Sequence, residues 1–374
     1  MGKLLIYWPM GLFDNTQYHK EIGAIALSGL RQNLKTAIIC GKFQDPPKNI
    51  SSGETGLVKR NFVTKFIDAV IAFKYVISEH PDNILMYNIE NYGNVFLILA
   101  TILFRKLFWG SKHKTKILIK ADSDGSFIEM QNKLYLLMYK ILIMIYSKIT
   151  SGIIVETTCG INKIEDFVNK QCRLIYLPNG YSSDIFGFSD SVTRKQIITC
   201  IANITPSKNV EAVIRVFYKL SKEFTEAKLK IAGNIEDLSY FDRVKRLISD
   251  LNLQDKTEIV KLNASELADL LGHSILSIST SIRESFGISR MESLGSGTPV
   301  VTYDAGCGAD FRKFGAIVVP LGDEERLYVE AFKLMSDHLY WHKKSEESRK
   351  LAVSWDYVVE KLIHLFDSTD VRRD

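Results

Sequence analysis

The sequence predicts an α/β protein made of two parallel-sheet halves, and three observations carry that prediction. Short apolar runs alternate with helical stretches through the first half, a polar break follows at Pro178-Asn179-Gly180, and the alternation then starts again. In the first half the strand-length runs are residues 4–8, 36–39, 84–87, 116–119, 152–155 and 174–177, with helical stretches such as 18–34 and 94–107 between them. Such alternation argues for a parallel sheet covered by helices on both faces. Residues 181–193 read as a polar, glycine-containing linker. The second half repeats the scheme, with strands at 197–202, 229–232, 258–260, 275–279 and 317–320 and a further strand opened by Val300-Val301. Its helices fall at 210–224, 241–253 and 288–296, and residues 321–374 are mostly helical.

Composition agrees with two domains. A chain of 374 residues exceeds one usual hydrophobic core. The 46% apolar and 24% charged fractions are those of a soluble globular protein, which excludes a disordered chain. The five cysteines (Cys40, Cys159, Cys172, Cys200 and Cys307) are scattered without the paired spacing of zinc or redox sites, which fits a reducing cytosol. The first residues read as a strand rather than a signal peptide, so a cytoplasmic protein is expected. No run reaches the roughly 18 apolar residues of a membrane-spanning helix. Asn49-Ile50-Ser51 fits a glycosylation sequon that is read as chance.

The net charge of +5 comes from the first half. Residues 1–185 hold 22 Lys/Arg against 15 Asp/Glu, and the remainder 26 against 28. Residues 105–120 alone carry six Lys/Arg and no acid, beside exposed-looking Phe108 and Trp109.

The densest functional signal is Glu284-Ser285-Phe286-Gly287-Ile288-Ser289-Arg290-Met291-Glu292, followed by Ser293-Leu294-Gly295-Ser296-Gly297-Thr298-Pro299-Val300-Val301. Ile288, Met291 and Leu294 share one helical face, and Gly297 and Pro299 stop the helix. Glu284 therefore lies in the loop before the helix and Glu292 on its second turn. The amides of Phe286 to Ser289 have no intrahelical partner, which makes an anion site. A nucleotide sugar has an anionic diphosphate between two hydroxyl-rich sugars. Helix amides and a lysine suit the diphosphate, and an ionised carboxylate can accept from two adjacent hydroxyls. Taken alone, two glutamates eight residues apart are ordinary surface residues.

The passage, with Gly306 and Gly308 after it, resembles the donor-site signature of the retaining GT-B glycosyltransferases of family four (glycosyl transferases group 1). The resemblance is specific over about residues 175–310 and only architectural before them. It implies an α/β, GT-B fold of two Rossmann-like domains facing across a cleft. The expected domains are an acceptor-binding one at 1–183 and a nucleotide-sugar donor-binding one at 184–355. Trp355 resembles the family's crossing tryptophan, after which the last helix, 356–374, would return to complete the first domain. Glu284 would meet hydroxyls of the transferred hexose and Glu292 the ribose, with Ser285, Phe286, Gly287 and Ile288 around the donor.

Ile201-Ala202-Asn203-Ile204-Thr205-Pro206-Ser207-Lys208-Asn209 resembles the family's Gly-Arg-Leu-x-x-x-Lys-Asn element, whose cations neutralise the diphosphate. Lys208 matches the lysine and would stabilise charge on the leaving group. Asn203 stands where the arginine belongs and supplies a donor but no charge, so the departure implies weaker phosphate binding or a substitute cation. Arg283 and Arg290 are candidate replacements by sequence proximity alone. Pro178-Asn179-Gly180 followed by Phe186 resembles the family's interdomain turn and says nothing of chemistry.

In relatives a glycine-containing loop after the first strand approaches the donor phosphate, which favours Gly11; a plain turn glycine is the alternative. Asp122 and Asp124, at the end of a strand where relatives often place a histidine, are acceptor-binding candidates or an ordinary Asp-Gly turn. No metal and no cofactor are expected beyond the nucleotide sugar. None of the seven histidines has metal-ligand spacing.

Residues 130–150 read as a long apolar helix with Lys133 and Lys140 on one face, either a core helix with snorkelling lysines or a membrane-surface helix. The basic first half leaves an anionic membrane surface as a partner, and a peripheral place on the inner face of the membrane. Nucleic acid is not expected, because no binding motif accompanies the charge.

The expected activity is transfer of a hexose from a nucleotide diphosphate sugar to a hydroxyl of a glycan or lipid-linked acceptor. A degenerate nucleotide-sugar binder without turnover and a GT-B epimerase are the alternatives.

Overall fold

The computed structural model describes residues 2–18, 20–44, 50–57, 62–109, 115–121, 133–188, 194–306 and 308–367. Asn49, residues 110–114 of the basic run, Asp122, Asp124 and Cys307 fall outside the described residues. The chain divides into two compact units, Met1–Pro178 with Trp355–Asp374, and Asn179–Ser354.

The first unit is built on a seven-stranded sheet of β1 (Lys3–Phe13), β2 (Lys35–Phe43), β3 (Ser51–Glu54), β4 (Asn83–Met86), β5 (Lys116–Ala121), β6 (Gly152–Val155) and β7 (Leu174–Tyr176). Its order is β3-β2-β1-β4-β5-β6-β7, with every pairing parallel. The central strands are buried on both faces, hence the unbroken apolar runs Leu4-Leu5-Ile6-Tyr7 and Ile117-Leu118-Ile119. Strand β3 is the one the sequence does not announce. Its Ser-Ser-Gly-Glu is polar because it lies on the sheet edge, with three of four residues exposed.

Helices α1 (Glu21–Arg31), α2 (Phe62–Glu79), α3 (Gly93–Phe104), α4 (Lys133–Ile149) and α5 (Thr158–Ile164) cover this sheet. One π-helical turn, Arg105–Trp109, extends α3. Helix α4 buries only Tyr139, Ile143, Tyr146 and Ser147. The core-packing expectation thus describes one side of this helix and leaves the other exposed.

The second unit has a six-stranded parallel sheet of β8 (Lys195–Ile201), β9 (Lys228–Ala232), β10 (Thr257–Val260), β11 (Ser274–Ser279), β12 (Val300–Tyr303) and β13 (Ile317–Val319), ordered β10-β9-β8-β11-β12-β13. Its helices are α6 (Val210–Glu223), α7 (Leu238–Asp250), α8 (Ala264–His273), α9 (Ile288–Gly295), α10 (Glu324–Ser336) and α11 (His338–Leu351). Helix α6 turns Val210, Val213, Val216, Phe217 and Leu220 onto the sheet, the spacing of a single apolar stripe. Burying each such large side chain contributes about 1.5–3 kcal/mol relative to exposure.

Of the stretch expected as a linker, residues 181–193, the described part 181–188 is packed into this unit. Phe186 is buried, and Phe188 lies under the guanidinium of Arg349 at 3.8 Å. The last helix, α12 (Trp355–Asp367), belongs to the first unit, where Asp356 accepts hydrogen bonds from Ser28 at 2.5 Å and from Arg31 at 2.8 Å.

Candidate functional site

The second sheet reverses its winding once. Strands β8, β9 and β10 run to one side and β11, β12 and β13 to the other, so the reversal falls between β8 and β11. Open α/β sheets bind ligands at the carboxyl ends of the strands flanking such a reversal. Two segments leave there, residues 202–209 after β8 and 280–287 after β11.

Three hydrogen bonds to backbone carbonyls tie these segments together. Thr280 Oγ1 donates to the carbonyls of Asn209 at 2.8 Å and Lys208 at 3.2 Å, and the Ile282 amide donates to the Ser207 carbonyl at 2.9 Å. Pro206–Lys208 forms a 3-10 turn, and Asn209, left-handed at φ 48°, redirects the chain into α6. Lys208 is thereby aimed at the facing loop. Its Nζ donates to Glu284 Oε2 at 2.5 Å, and Ser281 Oγ donates to the same oxygen at 3.2 Å. The lysine and glutamate side chains keep 26% and 17% of their surface, so water and ligands reach the pair.

Gly287 opens helix α9 from the left-handed region, at φ 86° and ψ 71°. A side chain there would also meet the Arg290 guanidinium, 2.6 Å from an added Cβ. The Arg290 amide bonds back to the Gly287 carbonyl at 3.0 Å, while Ile288 and Ser289 occupy the two helix positions before it. Amides at those first-turn positions have no intrahelical acceptor, so they remain available to an anion.

The remaining predicted residues fall as follows. Ser285 is exposed in the loop, Ile288 is the first residue of α9, and Glu292 sits on the second turn of α9, 7% exposed. The Phe286 ring is core, packed against Phe311 and Phe314 at centroid distances of 5.0 and 6.4 Å. Only its backbone belongs to the loop. Asn203 turns toward the segment after β9, where its Nδ2 donates to Glu236 and its Oδ1 accepts from the Asn234 amide at 3.1 Å. Gly11 lies in the first unit, within the register irregularity of β1 between Trp8 and Leu12. A Cβ at Gly11 would fall 2.1 Å from the Trp8 ring, so close packing of the indole requires this glycine.

Arg290 cannot replace the missing arginine. Its guanidinium is buried, donates to the Phe286 carbonyl and to Thr302 Oγ1 at 3.4 Å, and lies 4.1 Å from the Phe311 ring centroid. It braces the loop from beneath. Arg283 is exposed beside Glu284. Burial pushes the Cys200 thiol at the end of β8 up to about 12, so it is no nucleophile near neutral pH.

Sequence reasoning overlooked Thr280, Ser281 and Glu236. Thr280 and Ser281 follow directly after a strand facing the reversal, which is a usable signal; Glu236 carries none.

The fold and this site define a GT-B protein. The chain aligns over 98% of its length with 98% of sucrose-phosphate synthase from Thermosynechococcus elongatus, with a TM-score of 0.74 at 13% identity. It matches HepE of Anabaena in complex with UDP over 97% of this chain and 99% of that one, with a TM-score of 0.74 at 12% identity. More particularly, residues 183–350 match the model of glycosyl transferases group 1. Poly(glycerol-phosphate) alpha-glucosyltransferase of Bacillus subtilis is 36% identical over 163 residues, which is 43% of this chain and 24% of that relative. The chain spans from 24% to 58% of the lengths of the curated relatives it matches.

Proposed function

We propose that the protein is a retaining, metal-independent hexosyltransferase that moves a hexose from a nucleotide diphosphate sugar to a hydroxyl of a glycan or lipid-linked acceptor. The observation that supports this best is the Lys208–Glu284 pair at the sheet reversal, beside the first-turn amides of α9.

In the free protein Lys208 and Glu284 satisfy each other. An arriving diphosphate takes the ammonium and the amides of Ile288 and Ser289, which frees Glu284 to accept from hexose hydroxyls. Glu292 accepts from the ribose. As the anomeric carbon–oxygen bond breaks, negative charge gathers on the diphosphate and Lys208 stabilises it. The acceptor hydroxyl attacks on the face the phosphate leaves, and its proton passes to the departing phosphate oxygen. The products are a glycoside of unchanged anomeric configuration and a nucleoside diphosphate. Neither a protein nucleophile nor a metal enters this scheme, since Lys208 and the amides meet the phosphate charge.

The test is thermal unfolding with UDP, GDP, ADP and their hexose conjugates, with Glu292→Ala as the control. UDP comes first because HepE was solved with it. A ligand of the folded state at a hundred times its Kd adds about 2.7 kcal/mol of stability. We expect one nucleotide class to raise Tm and Glu292→Ala to abolish the rise; no shift with any nucleotide would refute the donor site.

A second reading is favoured by Asn203, which lacks the family's positive charge and pairs with Glu236. On this reading the chain binds nucleotide sugars without turnover. A thermal shift with no nucleoside diphosphate released across a panel of acceptors would select it.

A further inference from the structure

We propose that the outer surface of helices α2, α3 and α4 is a docking face for an anionic lipid bilayer, on which the first unit lies without crossing the membrane. This goes beyond the transfer chemistry and does not depend on it.

The three helices pack their inner sides on one face of the first sheet, around Tyr7, Ile84, Ile117 and Ile153. Their outer sides ought then to be polar, as on any surface helix. They are not. Phe66, Leu103, Phe108, Leu137, Ile141 and Met144 are exposed by 47, 58, 70, 53, 42 and 44%. Helix α3 carries no charged residue in twelve. Ring contacts between Phe66 and Phe96 at 4.8 Å and between Phe73 and Phe104 at 5.8 Å join α2 to α3, so the apolar surface is continuous between them. A continuous apolar surface of this kind marks an interaction site.

Charge selects the partner. On α2, α3, the π-helical turn and α4 the exposed charged residues are Lys74, Lys106, Lys133 and Lys148. The acids of the same elements do not oppose them: Asp68 is buried and accepts from Tyr7 and Thr55, and Glu79 pairs with Lys3. Glu90, in the loop before α3, accepts from Tyr135 at 2.9 Å. Exposed apolar side chains and unopposed lysines on the same helices match an acyl layer beneath anionic headgroups, and long lysine stems reach such headgroups from a partly immersed helix. A second copy of this chain fits less well, because a two-fold contact would set these lysines against their own copies. No described helix is long and apolar enough to span a membrane, so the face rests on the bilayer.

The experiment is co-sedimentation of the full chain with phosphatidylcholine vesicles, with and without phosphatidylglycerol. Three forms are compared: wild type, Phe108→Glu/Leu137→Glu, and Lys106→Glu/Lys133→Glu/Lys148→Glu. Lys195→Glu/Lys343→Glu/Lys350→Glu, exposed lysines of the second unit, repeats the charge change elsewhere. Circular dichroism and thermal unfolding confirm that each variant is folded. We expect wild type and the control to bind anionic vesicles, salt to weaken binding, and each face variant to lose about tenfold or more. Equal binding by the control and the face variants, or no binding of wild type, would overturn the proposal. So would a dimer by light scattering that Phe108→Glu/Leu137→Glu converts to monomer, since a second copy would then be the occupant.

Discussion

Each unit holds a lysine paired with carboxylates near strand ends, and the two lysines differ in how much water reaches them. Lys120, on the penultimate residue of β5, pairs with Glu21 at the start of α1 and with Glu156 after β6, 3.4 Å away. Its side chain is 5% exposed, Glu21 16% and Glu156 2%. Lys208 and Glu284 keep 26% and 17%. The residue types are the same, but Lys120 is shielded from an incoming anion, whereas the exposed Lys208 can be given up to one. Burial thus separates a charge held within the fold from one that an incoming anion can reach.

The largest expected effect is on the buried side. Lys120→Met leaves two carboxylates without their cation and should cost about 3–5 kcal/mol, read as a lower denaturant midpoint. A loss below about 1 kcal/mol would erase the contrast between the clusters.

Lys208→Ala should show the reverse pattern. Stability should stay within about 1 kcal/mol of wild type. Donor turnover should fall about a hundred- to a thousandfold, mostly in kcat, if the lysine acts as proposed on charge that develops in the transition state. Equal losses of stability at positions 120 and 208 would make both clusters structural.

Gly287→Ala sharpens the comparison from the loop that carries Glu284, the other partner of the open pair. It puts an alanine at φ 86° and a methyl against Arg290, which should cost about 1–3 kcal/mol and reduce the nucleotide-induced rise in Tm. An unchanged Tm rise would separate the loop conformation from donor binding.

The smallest effect should come from Lys219→Ala. Lys219 pairs with Glu325 at 2.5 Å, with the two side chains 47% and 67% exposed. The change in unfolding free energy should be within about 0.5 kcal/mol. Together, positions 120, 208 and 219 test whether exposure ranks the worth of a lysine–glutamate pair in this protein.

Much of the fold was legible because burial leaves a local record. Buried parallel strands such as β1 and β12 must be apolar along their length, and α6 and α9 must repeat apolar residues at helical spacing. Strand β3 escaped notice because an edge strand with one partner need not be apolar. Within the site, the loop position of Glu284 and the second-turn position of Glu292 follow from where Gly287 starts the helix. Phe286 and Arg290 could not be assigned that way. Which side of the loop faces the core is set by Phe311, Phe314 and Thr302, which lie on later segments.

The sequence by itself determined two rounds of strand and helix, the order of the donor-site motif, and the departure at Asn203 from the family it resembles. These are properties of neighbours along the chain, encoded in periodicity and turn residues. Only the tertiary structure decided that Lys208 meets Glu284 across 76 positions, that Asn203 turns to Glu236, and that Trp8 fills the space above Gly11. It also decided that Lys120 is sealed while Lys208 stays open. Such pairings depend on which strands become neighbours in a sheet, and strand order is settled by packing between segments far apart in the chain.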